Sequence, residues 1–280
     1  MRRRRWKDRV FWGGCTLALA LIIAPAISVL VSVFHQAAPA MSWSLITHRT
    51  NAGGIENAIL GTLLLLLGVL IVAGSIGVGA GIYLAEFASG RTERILRFYS
   101  EVLAGSPSII IGYVGYVTLV VGFHWGFSLL AAVIALSTLV VPYIVKTTEV
   151  ALRQLPTYLR EGAAGLGMRE TTILWRILLP PALPGIVSGL IVALAISTGE
   201  LAPLLYTAGF SDSNPSLHLF HQAVPYLTNV TYTDLALPGA QAHATAAAAG
   251  AFSLILLIVL IGIGRLLSRR ARMATRQMTL

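Results

Sequence analysis

Few side chains in this sequence are placed to do chemistry, and one carboxylate stands apart from the rest. Glu200 is the only acidic residue well inside a long apolar run. A charge at bilayer depth is costly, so a carboxylate there faces a partner or a solute pathway. Pro203 follows it and has no N–H, which leaves the carbonyl of Gly199 without its helical donor. Pro107 and Pro142 are expected to open carbonyls in other runs in the same way, and inside a membrane such carbonyls need a neighbouring helix or a water-lined cavity. Ser197 lies three residues before Glu200, which puts both on one helix face, and Thr207 extends the stripe. Two readings are open. Ser197, Glu200 and Thr207 line a solute route, or a protonated Glu200 bonds a neighbouring backbone carbonyl and locks two helices together.

Other chemistry is poorly supplied. His218 and His221 are spaced i, i+3 and could share a face, but no Cys or carboxylate cluster completes a metal site, so they read as polar loop residues. The nucleotide-binding pattern Gly-x-x-x-x-Gly-Lys-[Ser/Thr] is absent. Lys7 follows Trp6 and Lys146 follows Val145, so neither lysine completes it. The chain is therefore not read as an enzyme, and no cofactor is expected in it. If ATP and Mg drive it, a separate ATPase binds them. The single Cys15 sits in an apolar run and forms no internal disulfide. Asn229-Val230-Thr231 matches a glycosylation sequon too short to carry a role.

The elements that position these residues are set by composition. Of 280 residues, 56% are hydrophobic and 11% charged, with a mean hydropathy of +0.79, so most of the chain faces lipid or other apolar helices. The net charge of +9 does not point to nucleic acid, because Lys and Arg gather between the apolar runs, as in the cytoplasmic loops of membrane proteins. A basic segment, residues 1–9, precedes an uncharged run over residues 10–34. That run is too long for a signal-peptide core of roughly 7 to 15 residues, so it is expected to remain as a first membrane span.

Five more runs reach spanning length, at residues 59–85, 102–123, 127–145, 185–206 and 244–267, and form a core over residues 59–267. A basic tail, residues 268–280, follows. With the N-terminus inside, Arg49 alone of the 20 Lys and Arg falls outside, and the external segment 207–243 has Asp212 and Asp234 but no basic residue. All the histidines fall outside or at the outer edge. Gly77 and Gly81 form a small-xxx-small pair for close helix packing. The fold class expected is an all-α membrane protein of six transmembrane helices with both termini cytoplasmic.

Between the fourth and fifth runs lies a polar, basic stretch from Glu161 to Pro180. It is expected to form two short helical turns broken at Gly165 and Gly167 and stopped by Pro180-Pro181. Glu161, Gly162, Ala163, Gly167, Ile177, Leu179 and Pro180 fall on the Glu-Ala-Ala-x-x-x-Gly-x9-Ile-x-Leu-Pro signature of bacterial ABC importer permeases, with Gly162 in place of one alanine. The stretch resembles that family's cytoplasmic coupling helix. The resemblance implies a type I importer permease fold in the bacterial inner membrane, docked through this loop on an ATPase dimer.

Over nearly its full length the chain is most similar to the phosphate-specific permeases of the A type. Gly81-Ile82-Tyr83-Leu84-Ala85-Glu86-Phe87 resembles the end of their second span. Ala104-Gly105-Ser106-Pro107-Ser108-Ile109 resembles their Gly-x-Pro-Ser-Ile segment, and Gly199-Glu200-Leu201-Ala202-Pro203-Leu204-Leu205 their Gly-Glu-Thr-Ala-Pro-Leu-Leu segment. The resemblance implies a translocation pathway at Pro107, Ser108, Ser197, Glu200 and Pro203, a second permease subunit as partner, and an extracytoplasmic substrate-binding protein. Two positions depart from the pattern. Ile196 stands where a basic residue is common, and Leu201 replaces the threonine. Phosphate is the expected cargo, with another oxyanion (sulfate or molybdate) or a non-transporting scaffold as alternatives.

Overall fold

In a computed structural model the chain is described over residues 2–277, with side chains over residues 11–266 and at Ser268. The basic side chains of the two termini, apart from Arg265, lie outside the described residues. The described elements are all helices, without a strand among the described residues, and a long non-helical segment, residues 208–226, separates two of them. In order it forms α1 (Arg2–Ala37), α2 (Trp43–Thr47), α3 (Glu56–Glu86), α4 (Gly90–Gly105), α5 (Ser108–Gly115), α6 (Leu129–Arg153), α7 (Thr157–Gly165), α8 (Glu170–Ile173), α9 (Leu179–Gly199), α10 (Ala202–Thr207), α11 (Leu227–Ala236) and α12 (Ala240–Gln277). A π-helical segment, Tyr116–Gly122, prolongs α5, and a second, Leu174–Leu178, joins α8 to α9.

Five helical stretches are long and apolar enough to cross a membrane: Phe11–Ala37, Glu56–Glu86, Leu129–Arg153, Glu170–Gly199 and Ala240–Leu266. The sixth crossing differs from expectation. It does not run straight from residue 102, because α4 and the α5 stretch meet at a 101° bend. The cause is Pro107. Its ring disfavours helix at the residue before it, and Ser106 is extended, with φ −77° and ψ 132°. Pro107 therefore lies outside the helix, just ahead of α5, and not within a span. The backbone it disturbs is satisfied locally, since Ser106 N–H donates to Leu103 O at 3.2 Å and its hydroxyl to Val102 O at 2.8 Å. α4 carries Arg91, Glu93, Arg94, Arg97 and Glu101, has no fully buried residue and is amphipathic.

The bundle is built around α6, the most buried of the spans. Small residues on its two neighbours let backbones approach it closely. On α3, a Cβ added at Gly77 would lie 2.6 Å from Ile144 Cβ, and one at Gly81 2.8 Å from Val145 O. On α9, one at Gly185 would lie 2.7 Å from Ala151 Cβ, and one at Gly189 would overlap the Thr147 hydroxyl. The central core joins Leu65, Val69 and Ala73 of α3, Leu136 and Val140 of α6, and Ala193 of α9 with Leu204 of α10. A second cluster packs Ala244, Ala248 and Ala251 of α12 against Leu227 and Val230 of α11. α1 packs mainly on α12, with Ala37 at its end in the same apolar cluster as Ala58 of α3, and its side chains Leu17, Leu21, Ile22 and Val29 all point outward, as suits a helix surrounded by lipid.

Candidate functional site

The stretch from Glu161 to Pro180 folds as a helical hairpin with two unlike faces. Ala163 is buried and joins Leu152, Ile173, Leu178, Ala182 and Ile186 in a third apolar cluster, with Ile177 and Leu179 packed against it. Glu161, Gly162 and Gly167 are exposed on the other side. α7 ends in a Schellman turn: Gly167 N–H donates to Ala164 O at 2.9 Å and Met168 N–H to Ala163 O at 3.2 Å. Gly167 adopts φ +72°, a conformation glycine alone adopts without a Cβ penalty. The turn holds Leu166 outward, 82% exposed, and Tyr158 and Trp175 are also exposed. Three large apolar side chains are thus presented away from the bundle.

Pro180 and Pro181 do not stop a helix, as the sequence had suggested. They stand in the first turn of α9, directly after the π segment, within a helix that does not break there. The helix accommodates them by widening. Leu179 N–H reaches back five residues to Leu174 O, and helix continues from Glu170 to Gly199 through the π segment.

The pathway residues are arranged differently from the expected stripe. α9 stops at Gly199, Glu200 is extended at φ −75° and ψ 131°, and α10 begins at Ala202. Ser197 and Glu200 therefore share no continuous helix face. Pro203 lies in the first turn of α10, so it marks a break between two helices and interrupts neither. Ser197 is buried with its hydroxyl on Ala193 O at 2.9 Å, and Thr207 is buried with its hydroxyl on Pro203 O at 2.7 Å. The Glu200 carbonyl accepts from Thr228 Oγ1 of α11 at 3.1 Å. Among the described residues its half-buried carboxylate has no hydrogen-bond or ion-pair partner.

α5, which Pro107 and Ser108 lead into, is brought against α10. A Cβ added at Gly112 would lie 2.6 Å from Pro203 Cα, so the two backbones touch. Ser197 lines a small cavity with Thr62, Thr198, Tyr226 and Thr228, and the Tyr226 hydroxyl is buried without a partner among the described residues.

A charged cluster that the sequence analysis missed lies at the α7 end of the bundle. Glu149, 3% exposed, takes two guanidinium groups: Arg97 of α4, with Nη1 to Oε2 at 3.3 Å and a second contact from Nη2, and Arg153, with Nε to Oε1 at 3.0 Å. Glu93 accepts from Arg97 and from Arg153, each at 2.9 Å. Hydrogen bonds from Arg97 first, then Arg153, hold the Glu93 carboxyl below the usual carboxylate range, and the Glu93 carboxylate raises Arg97 in return. Arg153 also donates to Leu84 O at 3.1 Å.

On α7, Arg160 forms a forked pair with Glu86, Nε to Oε2 at 3.1 Å and Nη2 to Oε1 at 2.5 Å, and donates to Leu152 O at 3.0 Å. Glu86 beside it raises the Arg160 guanidinium further above its ordinary value. The available signal was the i, i+4 spacing of Glu93 with Arg97 and of Glu149 with Arg153. Ending the fourth span at Val145 hid it, because α6 runs on to Arg153. Among the described residues no cluster of His, Cys, Asp or Glu could hold a metal ion.

Comparison with known proteins places this geometry among transport components. A family model described as "binding-protein-dependent transport system inner membrane component" matches residues 77–273. The phosphate transport system permease protein PstA 2 of Mycobacterium bovis is 46% identical over 268 residues, covering 95% of this chain and 89% of that one. The phosphate transport system permease protein PstA of Yersinia pestis is 37% identical over 216 residues, covering 73% of this chain and 71% of the relative. Among solved structures, an inward-facing MetNI methionine ABC transporter superposes with a TM-score of 0.61 at 19% identity, over 82% of this chain and 97% of that one, a likeness of fold alone.

Proposed function

The chain belongs to the binding-protein-dependent transport system inner membrane components, and from that premise we propose that it is the membrane-spanning permease subunit of an ATP-driven phosphate importer. Members of this family are multi-pass transport components, not enzymes, and they work with a separate ATPase. The observation that carries the cargo is the 46% identity to a phosphate permease across 95% of the chain. The α7 hairpin supports the division of labour. It buries Ala163 against the bundle and turns Glu161, Gly162, Leu166 and Gly167 outward, which suits insertion into a groove on a soluble partner.

In this reading the hairpin docks on an ATPase dimer that binds ATP and Mg. A second permease subunit completes the pathway, an extracytoplasmic binding protein delivers the anion, and both termini are cytoplasmic in the bacterial inner membrane. The pathway runs past the break between α9 and α10. Glu200 repels an oxyanion when ionised, and Ile196 supplies no charge to offset it. The positive charge therefore comes from the second permease, from backbone amides, or from a partner arginine that neutralises Glu200.

The test is reconstitution of the chain with ATPase, second permease and binding protein in vesicles, followed by uptake of labelled phosphate. ATP-dependent uptake resistant to excess sulfate is expected. Uptake displaced by sulfate or molybdate overturns the cargo, and no uptake of any oxyanion with an assembled, ATP-hydrolysing complex overturns transport.

A further inference from the structure

We infer that Arg160 and Glu86 are positioning residues that lock the α7 hairpin to the ends of α3 and α6, so that displacement of the hairpin reaches the membrane helices instead of being lost in a loose loop. The inference rests on the coupling role proposed above and names residues outside the signature for it. Its first support is placement. Glu86 is the last residue of α3, where a carboxylate meets the negative end of the helix dipole and is disfavoured. Local helix stability therefore does not explain it, and its two oxygens both face Arg160. Arg160 is the residue immediately before Glu161, so the fork holds α7 beside its exposed face.

Geometry supplies the second support. Arg160 bonds Glu86 and, through Nη2, the carbonyl of Leu152 in the last turn of α6. That carbonyl also accepts from Leu155 N–H at 3.2 Å, so Arg160 adds a second donor to the α6 end. One guanidinium thus ties three helix ends. Arg153 repeats the device one turn away, bonding Leu84 O at the end of α3 while pairing with Glu149 and with Glu93 of α4. The Arg160 and Glu86 side chains are 29% and 11% exposed, shielded enough for the pair to hold one geometry and not exchange freely with water. The other half of the hairpin is held by apolar packing on α9. Val78, Ile82 and Ala85 of α3 border the same apolar cluster, so loss of the ion pair removes the polar tie between α7 and α3 while leaving the apolar attachment in place.

The experiment uses the reconstituted complex with Glu86→Gln, Arg160→Gln and the reversed pair Glu86→Arg with Arg160→Glu. Three quantities are read: the amount of ATPase subunit that copurifies, labelled phosphate taken up per ATP hydrolysed, and the factor by which the binding protein stimulates hydrolysis. The single variants are expected to retain the ATPase subunit but to lose uptake per ATP by roughly fivefold or more, the range of ordinary coupling between sites. The reversed pair is expected to recover at least part of it. Uptake per ATP within about twofold of wild type in both single variants overturns the inference, as does a loss that follows the amount of assembled complex. If the wild-type complex is stimulated by the binding protein yet accumulates no phosphate, the cargo reading fails on its own. The stimulation factor then decides: its retention in Glu86→Gln overturns the clamp, and its loss supports it.

Discussion

Glu200 and Glu149 show that depth in an apolar run and burial are different properties. Glu200 was visible in the sequence because its neighbours are apolar, but the structure leaves it half-buried at a helix break, its carboxylate unpaired among the described residues. Glu149 looked like a loop residue and is the most buried carboxylate among those described, held by two arginines. A carboxylate without internal partners contributes little to the fold, so Glu200→Gln is expected to leave assembly and thermal stability unchanged while altering the rate or affinity of uptake. Transport kinetics equal to wild type would remove Glu200 from the pathway. Glu93 supports a prediction on pH. Arg97 and Arg153 lower its pKa from the ordinary 4.5, so its contribution to stability is fully present above that value and fades as pH falls through the lowered one. The melting-temperature difference between wild type and Glu93→Gln in detergent should be flat from neutral pH down to about 4.5 and shrink below it. A difference that grows on acidification would contradict the pairing.

Among the elements, the α7 hairpin was the most legible, because its signature is a spacing and spacing survives folding. Gly167 was recognisable as a helix terminator from its place after a short helix, and the Schellman turn supplies the physical reason. The prolines were less legible. Pro107 and Pro203 were assigned to a helix interior by their apolar neighbours, yet each stands at or just before a helix start, where the absent N–H is not needed, and Pro180, expected to stop a helix, lies within one that continues past it through the π segment. Composition cannot separate one long span from two helices joined at a proline, so the bend ahead of α5 and the break at Glu200 were both hidden. Gly167 offers a test at this scale. No atom lies within 4 Å of a Cβ added there, so Gly167→Ala and Gly167→Trp should carry a similar cost of about 1–2 kcal/mol for the positive φ and differ little in melting temperature. Only the tryptophan adds bulk to the outward face. Loss of ATPase copurification in Gly167→Trp but not in Gly167→Ala is the expected result, and equal retention in both would exclude this face as the docking surface.

At the level of the whole molecule, α6 is buried by close contacts with α3 and α9, while α1 packs mainly on α12 at the edge of the bundle. The bundle was foreseen in outline because lipid demands long apolar helices, but its centre was not, since apolar content is similar in lipid-facing and protein-facing spans. Orientation rests on charge and is directly testable. With Cys15, the only cysteine, replaced by serine, Ser213→Cys should react with a membrane-impermeant thiol reagent in intact cells, and Thr171→Cys only in inverted vesicles. The opposite pattern would invert the chain. The π segment Leu174–Leu178 has a mechanical consequence. It is a flexure built into a stiff rod, placed where the double proline has already removed hydrogen bonds, and α9 beyond it is 21 residues, about 30 Å, long. Glu200 sits at the far tip of that lever arm, so each degree of tilt at the flexure sweeps it through about 0.5 Å.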